Sequence, residues 1–520
     1  MAATNGKSGS PRVLVVTPEV TALPPGMGKQ ADSVVAKAGG MADVTSGIVT
    51  ALFDIGADVH IALPNYRRLF RVDVSKYVSR TLREYKSKLP DRRVHFAEDS
   101  LFYYRATVYT GGGADVANVA LRFQREVINN ILADVEPDLI HCNDWMTGLI
   151  PAAARRLDIP CLLTLHNIHT YEISLAEIEE SGIDIQDFWQ HLYYREMPGT
   201  YEQTRLGNKV DLLSSGIFGA HFINTVSPTF LREVVEGQHS FVPAPVREQI
   251  RAKAAAGCAT GILNAPPKSY NPTTDMMIAR QYRPDTHAQA KAANKQALQQ
   301  ELGLIRDTDA PLFFWPSRLD PMQKGCELLT HILFEVIAAY DRDGLQLAVI
   351  ADGPFQVHFL EIVEQYGLRD RVALRDFDER MSHLGFAASD FTLMPSRFEP
   401  CGLPQMIGCI YGSLPIVHDT GGLHDTVTHL DTGRGTGNGF VFETYDSGGL
   451  RWAIDQAMAF FGASAASRQA HVARVMTDAL RQFSHKETAR QYFELYERML
   501  ARPLVDSLAG SEGTGALTDR

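Results

Sequence analysis

Short apolar runs, rich in β-branched residues, recur along the chain, and each is followed by a turn and a longer stretch with helical spacing. In the first half these runs cover Val13 to Thr17, Val59 to Leu63, Asp138 to Cys142, Cys161 to Leu165 and Phe222 to Val226. Nearly continuous apolar strands that alternate with helices are typical of a parallel sheet covered on both faces. The pattern therefore predicts an α/β fold of the doubly wound class.

A break in this alternation divides the chain. Between about Glu233 and Thr286, Pro, Gly, Ala and Lys accumulate and no strand pattern is present. The alternation resumes with the runs Leu312 to Pro316, Leu347 to Ala351, Phe391 to Pro395 and Pro415 to Val417. A chain of 520 residues is also too long for one core, since domains usually contain about 100–250 residues.

These observations predict two Rossmann-like domains. The first covers residues 11–262 and the second covers residues 263–503, and we expect the last helix of the second to pack back on the first. Residues 504–520 are small and polar, and they are predicted to form a disordered tail, as are the first ten residues.

Charge and cysteine content exclude several classes of function. The net charge of -11 argues against nucleic-acid binding, which needs clustered Lys and Arg to neutralise phosphates. The six cysteines include no CxxC pair, so they predict neither disulfides nor a zinc site. The N-terminus lacks the apolar core of a signal peptide, and no stretch approaches the roughly 20 apolar residues that span a bilayer. We therefore expect a soluble, cytoplasmic protein without membrane partners.

Candidate chemistry lies directly after the predicted strands, because ligands of open α/β sheets bind beyond the carboxyl ends of the strands. After the first strand comes KAGGMAD, from Lys37 to Asp43, which leads into a helical pattern. Its two glycines let a backbone approach a phosphate, the following helix offers unpaired N–H groups, and Lys37 adds positive charge. The alternative is an ordinary Gly-rich turn, which a lone segment of this kind forms more often than a phosphate site.

A second candidate segment, SRLDPMQKG, follows the run that ends at Pro316. Arg318 offers a fork of donors and Lys324 a point charge, and both suit a diphosphate whose charge grows as it leaves. The alternative is two solvated surface cations.

The most specific segment is SRFEPCGLPQMIGCIYG, from Ser396 to Gly412. Glu399 lies between a predicted strand and helix, where a carboxylate can bond a sugar hydroxyl or stabilise positive charge at an anomeric carbon. The alternative is an acid that caps the helix. A further strand-to-helix loop, DTGGLHDTV, again contains paired glycines.

Two loops of the first half contain histidines. TLHNI ends one strand with His166 and Asn167, and HCNDW ends another. A histidine in such a place is more often structural than catalytic. His141, Cys142 and Asp144 suggest a metal site, but no further ligands follow at a characteristic spacing. We therefore predict that no metal is bound.

Taken in order, these segments resemble glycosyltransferase family 5, the glycogen and starch synthases with the GT-B fold. KAGGMAD is similar to that family's KTGGLAD, HCNDW to HAHDW, TLHNI to TxHNL and TVSPTF to AVSPTY. SRFEPCGL is identical to the family's segment, and YGSLPIV and TGGLHDTV are similar to YGTLPIV and TGGLADTV. The resemblance extends from about Val13 to Tyr496.

The resemblance implies two such domains that face an interdomain cleft, and a retaining glucosyltransferase without a clear covalent nucleophile. It implies a nucleotide sugar as donor substrate, with no metal or other cofactor required. The implied catalytic residues are Glu399, His166, Arg318 and Lys324. The implied donor-binding residues are Lys37, Gly39, Gly40, Asp43, Asp144, Asn167, Asn264, Phe377, Cys401, Gly402, Leu403, Thr420, Gly421 and Gly422. Phe377 is placed against the nucleotide base.

We therefore expect transfer of glucose from ADP-glucose to the non-reducing end of an α-1,4-glucan. The alternatives are the same fold with UDP-glucose or another acceptor, and a catalytically silent glucan-binding relative. The latter arises because the family's NGxD is here NAPP, from Asn264 to Pro267. Further departures are the longer RLDPMQKG spacing, an insertion from about Leu23 to Val34, GLPQ in place of GLTQ, and HTYEIS after HNI.

Overall fold

The computed structural model describes residues 11–28, 31, 34–66, 93–108 and 113–505. The chain divides into two compact units. The first unit extends to Val226 and also contains Arg232–Ile262 and the residues from His485 onward. The second unit contains Ser227–Leu231 and Leu263–Ser484. The chain thus passes into the second unit after Ile262, and its last helix belongs to the first.

Within the described residues, the first unit contains a seven-stranded parallel sheet in the order β3-β2-β1-β4-β5-β8-β9. Its strands are β1 (Arg12–Val16), β2 (Asp58–Pro64), β3 (Val94–Ala97), β4 (Leu139–Asn143), β5 (Cys161–Leu165), β8 (Phe222–Thr225) and β9 (Ala259–Gly261). The short strands β6 (Glu172–Ile173) and β7 (Val210–Asp211) pair antiparallel. The helices here are Gly40–Asp54, Ser100–Tyr103, Gly113–Glu126, Leu132–Val135, Ile150–Arg156, Leu175–Glu180, Tyr201–Gly207, Leu212–Gly219, Ala244–Ala255 and His485–Leu500, and the helix Pro228–Glu236 begins in the second unit and ends in the first.

The second unit contains a six-stranded parallel sheet in the order β12-β11-β10-β13-β14-β15. Its strands are β10 (Leu312–Trp315), β11 (Gln346–Ile350), β12 (Val372–Arg375), β13 (Phe391–Met394), β14 (Leu414–His418) and β15 (Phe440–Phe442). Its helices are His287–Leu302, Cys326–Ala339, Gln356–Tyr366, Glu379–Ala388, Pro404–Tyr411, Gly421–Thr426, Ser447–Phe461 and Ala465–Gln482. The central strands are fully buried, as expected of a sheet with helices on both faces.

The prediction of a doubly wound fold is confirmed, and each predicted run is a strand. The expected break between about Glu233 and Thr286 is partly wrong, because the helix Ala244–Ala255 and strand β9 lie within it. β9 pairs with β8 through Ile223 and Ala259. Its sequence, Ala-Thr-Gly, has no apolar run, so only pairing with a neighbouring strand reveals it. Strands β3, β12 and β15 were also missed.

A buried polar chain joins the last helix to the first sheet. Tyr496 O–H donates to His141 Nδ1 at 2.5 Å, and His141 Nε2 contacts Thr164 Oγ1 at 2.6 Å. Thr164 donates to Asn224 Oδ1 at 2.5 Å, and Asn224 Nδ2 donates to Tyr492 at 3.0 Å. Burial lowers the pKa of His141 to about 3, so the ring is neutral and can accept from Tyr496. His141 is therefore a structural residue that anchors the helix.

Both ends of the chain were predicted to be disordered. The first ten residues and residues 506–520 lie outside the described residues. Leu504, which was expected in the disordered tail, is buried, and its N–H donates to Glu497. None of the helices in the described part of the chain has the length and hydropathy needed to span a bilayer.

Candidate active site

The centre of the site in the second unit is a buried ion pair. Lys324 Nζ lies 2.6 Å from Glu399 Oε2, and both side chains are largely buried, with exposed fractions of 12% and 7%. Ser396 Oγ donates to the same oxygen at 3.1 Å. Within the described residues, no N–H of the helix Pro404–Tyr411 donates to this carboxylate, so the alternative of a helix-capping acid is not supported.

The longer RLDPMQKG loop reaches Glu399 because it folds on itself. Asp320 Oδ1 accepts from the N–H of Met322 at 2.9 Å, and the N–H of Lys324 donates to Asp320 O at 2.9 Å. Gln323 O accepts from the N–H of Arg397, next to the Glu399 loop. A Cβ added at Gly325, where φ is 69°, would lie 2.0 Å from Pro395 O. The two loops therefore pack so closely that only glycine fits at this position.

Arg318 is placed differently from Lys324. Its side chain is exposed, and it has no ion-pair partner among the residues that the structure describes. The neighbouring Leu319 donates its N–H to Asp352 O at 2.8 Å, which ties the loop after β10 to the loop after β11. The structure thus shows no contact between Arg318 and Lys324. The guanidinium of Arg318 has no ion-pair partner among the described residues, and the backbone beside it is held by hydrogen bonds.

Asn264 approaches the same group of loops. It is 7% exposed, and its Oδ1 has no hydrogen-bond partner within the described part of the chain. Burial raises the pKa of Cys401 to about 12, and the N–H of Asn264 opposes this rise, so the thiol stays neutral. A buried amide oxygen without a partner is costly, and a ligand hydroxyl would satisfy it.

We expect Asn264→Ala to weaken glucosyl transfer by about 1–3 kcal/mol, the usual cost of leaving a buried polar partner unmet. The measurement is kcat/KM with a nucleotide-glucose and glycogen. Restoring Gly and Asp at Ala265 and Pro267 is expected to change the rate only modestly, because the buried amide is already in place. Wild-type rates in Asn264→Ala would contradict a contact with substrate.

The backbone around the second Gly-Gly pair is closely packed against the Glu399 loop. The N–H of Gly422 donates to Glu399 O at 2.9 Å. The prediction that the Gly422 amide donates to phosphate therefore needs correction, because this N–H is already used. In contrast, the N–H groups of Cys401, Gly402 and Leu403 have no acceptor among the described residues. Thr420 precedes the helix Gly421–Thr426 and is buried.

Gly422→Ala is expected to destabilise the second unit. An added Cβ would lie 2.0 Å from Cys401 O, which is backbone and cannot move aside without displacing the loop. Overpacking of this kind costs about 1–3 kcal/mol. Urea unfolding measures the effect, and Gly462→Ala is a matched control because its nearest atoms would lie at 3.6 Å. Equal stability of the two variants would show that the loop can yield.

Phe377 is the exposed aromatic residue after β12, with 53% of its surface accessible. Its N–H donates to Asp352 Oδ1 at 2.9 Å, so Asp352 connects the loops after β10, β11 and β12. An exposed ring held by a fixed backbone is suited to stacking on a nucleotide base.

The first unit carries its own polar cluster, at the carboxyl ends of β1, β4 and β5. Lys37 Nζ lies 2.9 Å from Asp43 Oδ2, and Thr21 Oγ1 donates to Asp43 Oδ1 at 2.6 Å. Asp43 is buried, whereas 41% of the Lys37 side chain is exposed. Asp43 therefore holds Lys37, and its contact with the donor stays a prediction.

Sequence reasoning missed Glu19, which lies beside this pair. It is 2% exposed, and its Oε2 accepts from the N–H groups of Ala38 at 2.7 Å and Gly39 at 3.0 Å. The N–H of Gly39 is thus occupied by Glu19 and cannot donate to phosphate, whereas the predicted close approach of the donor to Gly39 stays a prediction. The sequence feature that could have revealed Glu19 is a carboxylate shortly after the apolar strand β1, among residues that are otherwise buried.

Asp144 connects the HCNDW and TLHNI loops. It adopts φ of 56°, and its Oδ1 accepts from the N–H of His166 at 2.7 Å. Asn167 Nδ2 donates to Asp144 Oδ2 at 3.2 Å. Burial raises the pKa of Asp144 to about 7, and the charge of Glu19 adds to the rise. Asp144 thus orients the other two residues.

His166 is neutral in this arrangement. Burial lowers its pKa to about 3, although part of its ring is accessible. Asn143 Nδ2 donates to Val16 O, so Asn143 Oδ1 accepts from His166 Nε2, 3.0 Å away. The other ring nitrogen, Nδ1, remains as an acceptor, which suits a contact with a sugar hydroxyl rather than with a phosphate. No group of three or more His, Cys, Asp or Glu within the described ranges could hold a metal ion.

Comparison with known proteins places these features in a family. The family described as starch synthase catalytic domain matches residues 12–242, and glycosyl transferases group 1 matches residues 300–460. The glycogen synthase of Exiguobacterium sibiricum is 33% identical over 79% of this chain and 86% of its own length. That of Syntrophotalea carbinolica is 32% identical, over 89% of this chain and 96% of its own.

A solved structure agrees with this. The catalytic domain of starch synthase IV from Arabidopsis thaliana, bound to ADP and acarbose, matches with a TM-score of 0.74 and 26% identity. The match covers 95% of this chain and 100% of that one. The chain therefore belongs to the glycogen and starch synthase family and is a glycosyltransferase with the GT-B fold.

Proposed function

We propose that this protein transfers glucose from ADP-glucose to the non-reducing end of an α-1,4-glucan, with retention of configuration. The observation that carries the proposal is the buried Lys324–Glu399 pair, beside the N–H groups of Cys401 to Leu403, for which the described part of the chain offers no acceptor. A module that only binds glucan needs no buried cation next to free amides. ADP as the nucleotide is supported by the starch synthase structure, which is described as bound to ADP and acarbose.

Each group has a distinct task in the proposed reaction. Lys324 keeps two N–H donors beyond the one directed at Glu399, and these stabilise negative charge on the departing diphosphate. Glu399 accepts from sugar hydroxyls and stabilises positive charge at the anomeric carbon. Asn264 Oδ1 accepts from a further hydroxyl. Phe377 stacks on the base, and Arg318 adds a bidentate contact to phosphate.

The first unit supplies the remaining groups. His166 Nδ1 accepts from a glucosyl hydroxyl, and Asp144 fixes the orientation of His166 and Asn167. Lys37 and the N–H of Gly40 bind phosphate oxygen, since Gly40 begins the helix Gly40–Asp54. In the family's reaction, the departing diphosphate accepts the proton of the attacking hydroxyl on the same face of the sugar.

The decisive experiment offers the purified protein ADP-glucose or UDP-glucose together with glycogen and measures the released nucleoside diphosphate. We expect release with ADP-glucose that depends on glycogen. Faster release with UDP-glucose would assign the other donor. If no nucleotide-glucose is used, and restoring NGxD at Ala265 and Pro267 creates activity, the chain is a glucan-binding relative rather than an enzyme.

A further inference from the structure

The buried Glu19 divides the N–H groups of the Gly-rich turn into two sets. Its Oε2 accepts from the N–H groups of Ala38 at 2.7 Å and of Gly39 at 3.0 Å. The N–H groups of the next two residues, Gly40 and Met41, have no acceptor among the described residues. Glu19 therefore occupies the first two amides of the turn, and the following two remain available to a ligand.

The backbone around Glu19 fixes the carboxylate. Thr17 Oγ1 donates to Glu19 O at 2.9 Å, directly after β1. Val20 and Ala36 exchange backbone hydrogen bonds of 3.0 and 2.8 Å, which close the intervening loop. The turn thus cannot shift relative to β1 without breaking contacts to Glu19.

We propose that Glu19 is a positioning residue for the transfer reaction: it holds the turn so that the N–H groups of Gly40 and Met41 point at an oxygen of the donor's diphosphate. This inference rests on the proposed function, in which those amides meet the donor. The first N–H groups of a helix carry partial positive charge. If the turn were displaced, these groups would no longer point at the phosphate oxygen and would stabilise its negative charge less.

Charge near Glu19 gives the arrangement a pH dependence. The groups that face it are the carboxylates of Asp43 and Asp144 and the hydroxyl of Tyr66. Burial raises the pKa of Glu19 to about 7, and the N–H bonds of Ala38 and Gly39 oppose the rise. The ionised form accepts hydrogen bonds more strongly than the acid. Below about pH 7 the hold on the turn therefore weakens.

Three variants test the proposal. Glu19→Ala removes the acceptor, and Glu19→Gln keeps an acceptor oxygen without charge. Glu177→Gln is the matched control, because Glu177 is an N-terminal helix carboxylate of the capping box at Ser174 in the same unit. The first measurement is hydrogen exchange of the segment 36–42 without substrate. The second is kcat and KM for ADP-glucose between about pH 6 and about pH 9.

We expect Glu19→Ala to exchange faster in the segment 36–42 and to lose about 10²-fold in kcat/KM, as displaced groups typically do. Glu19→Gln should keep at least about a tenth of the activity, and its acid-side decline should become shallower without vanishing, because Asp144, whose pKa is also about 7, still titrates. Glu177→Gln should match wild type. Wild-type exchange in Glu19→Ala, or an unchanged decline in Glu19→Gln, would overturn the proposal. If the wild type transfers no glucose, the proposed function fails, whereas the exchange result still decides whether Glu19 holds the turn.

Discussion

Replacing Glu399 by Gln is expected to lower glucosyl transfer by about 10³-fold while the protein still folds. The substitution keeps the shape of the side chain and removes the charge that would stabilise the anomeric carbon. It also leaves the buried Lys324 without its partner at 2.6 Å. Breaking a buried pair by removing one member typically costs about 3–5 kcal/mol. Part of any activity loss could therefore come from instability.

A second substitution separates the two effects. In the Glu399→Gln background, Lys324→Met removes the unpaired charge and should recover much of the stability, whereas activity should stay low. Urea unfolding and the ADP-glucose assay measure the two quantities. Glu301→Gln is the control, because it breaks the exposed ion pair with Arg380 in the same unit and should change neither. Full activity of Glu399→Gln would reduce Glu399 to a structural partner of Lys324.

Arg318→Ala is expected to reduce kcat by about 10²-fold, the usual effect of removing one donor to developing charge. Because Arg318 is exposed and has no ion-pair partner in the described ranges, the free energy of unfolding should not change. This separation of activity from stability distinguishes it from Lys324.

Arg318→Lys refines the test, since lysine keeps the charge but loses the bidentate fork. We expect activity between those of the wild type and Arg318→Ala. Arg342→Ala removes another exposed arginine of the same unit and should have no effect. Near-normal kcat in Arg318→Ala would mean that the longer RLDPMQKG loop directs this side chain away from the diphosphate.

Local pattern was sufficient for much of the fold. Buried parallel strands are mostly apolar, so the runs that begin at Leu312 and Phe391 could be recognised without knowledge of their neighbouring strands. Strand β9, Ala-Thr-Gly, could not, because three small residues form a strand only where β8 offers a free edge. The carboxyl ends of the strands likewise pointed to the loops that contain Arg318 and Glu399.

The local sequence pattern could not predict which side chains and amides of separate loops contact each other. Lys324 and Glu399 are 75 residues apart in sequence, and nothing in either segment states that their side chains meet. The same holds for the N–H of Gly422, whose acceptor is Glu399 O, and for Glu19, whose partners lie beyond an insertion. In each case the sequence contained the group, but the packing of separate loops selected its partner.

The sequence by itself determined the class of fold, the family and the loops that contain the catalytic groups, because periodicity and motifs can be read from the linear order of the residues. Only the tertiary structure decided which amides are occupied, as at Gly39 and Gly422, and which stay available, as at Gly40. The helix His485–Leu500 was expected from the sequence to pack on the first domain, but its individual contacts, such as that of Tyr496 with His141, follow only from the structure. The partner of each amide depends on the distance and direction between segments that are remote in sequence. The packing of the sheets and their helices fixes those distances and directions in the folded protein.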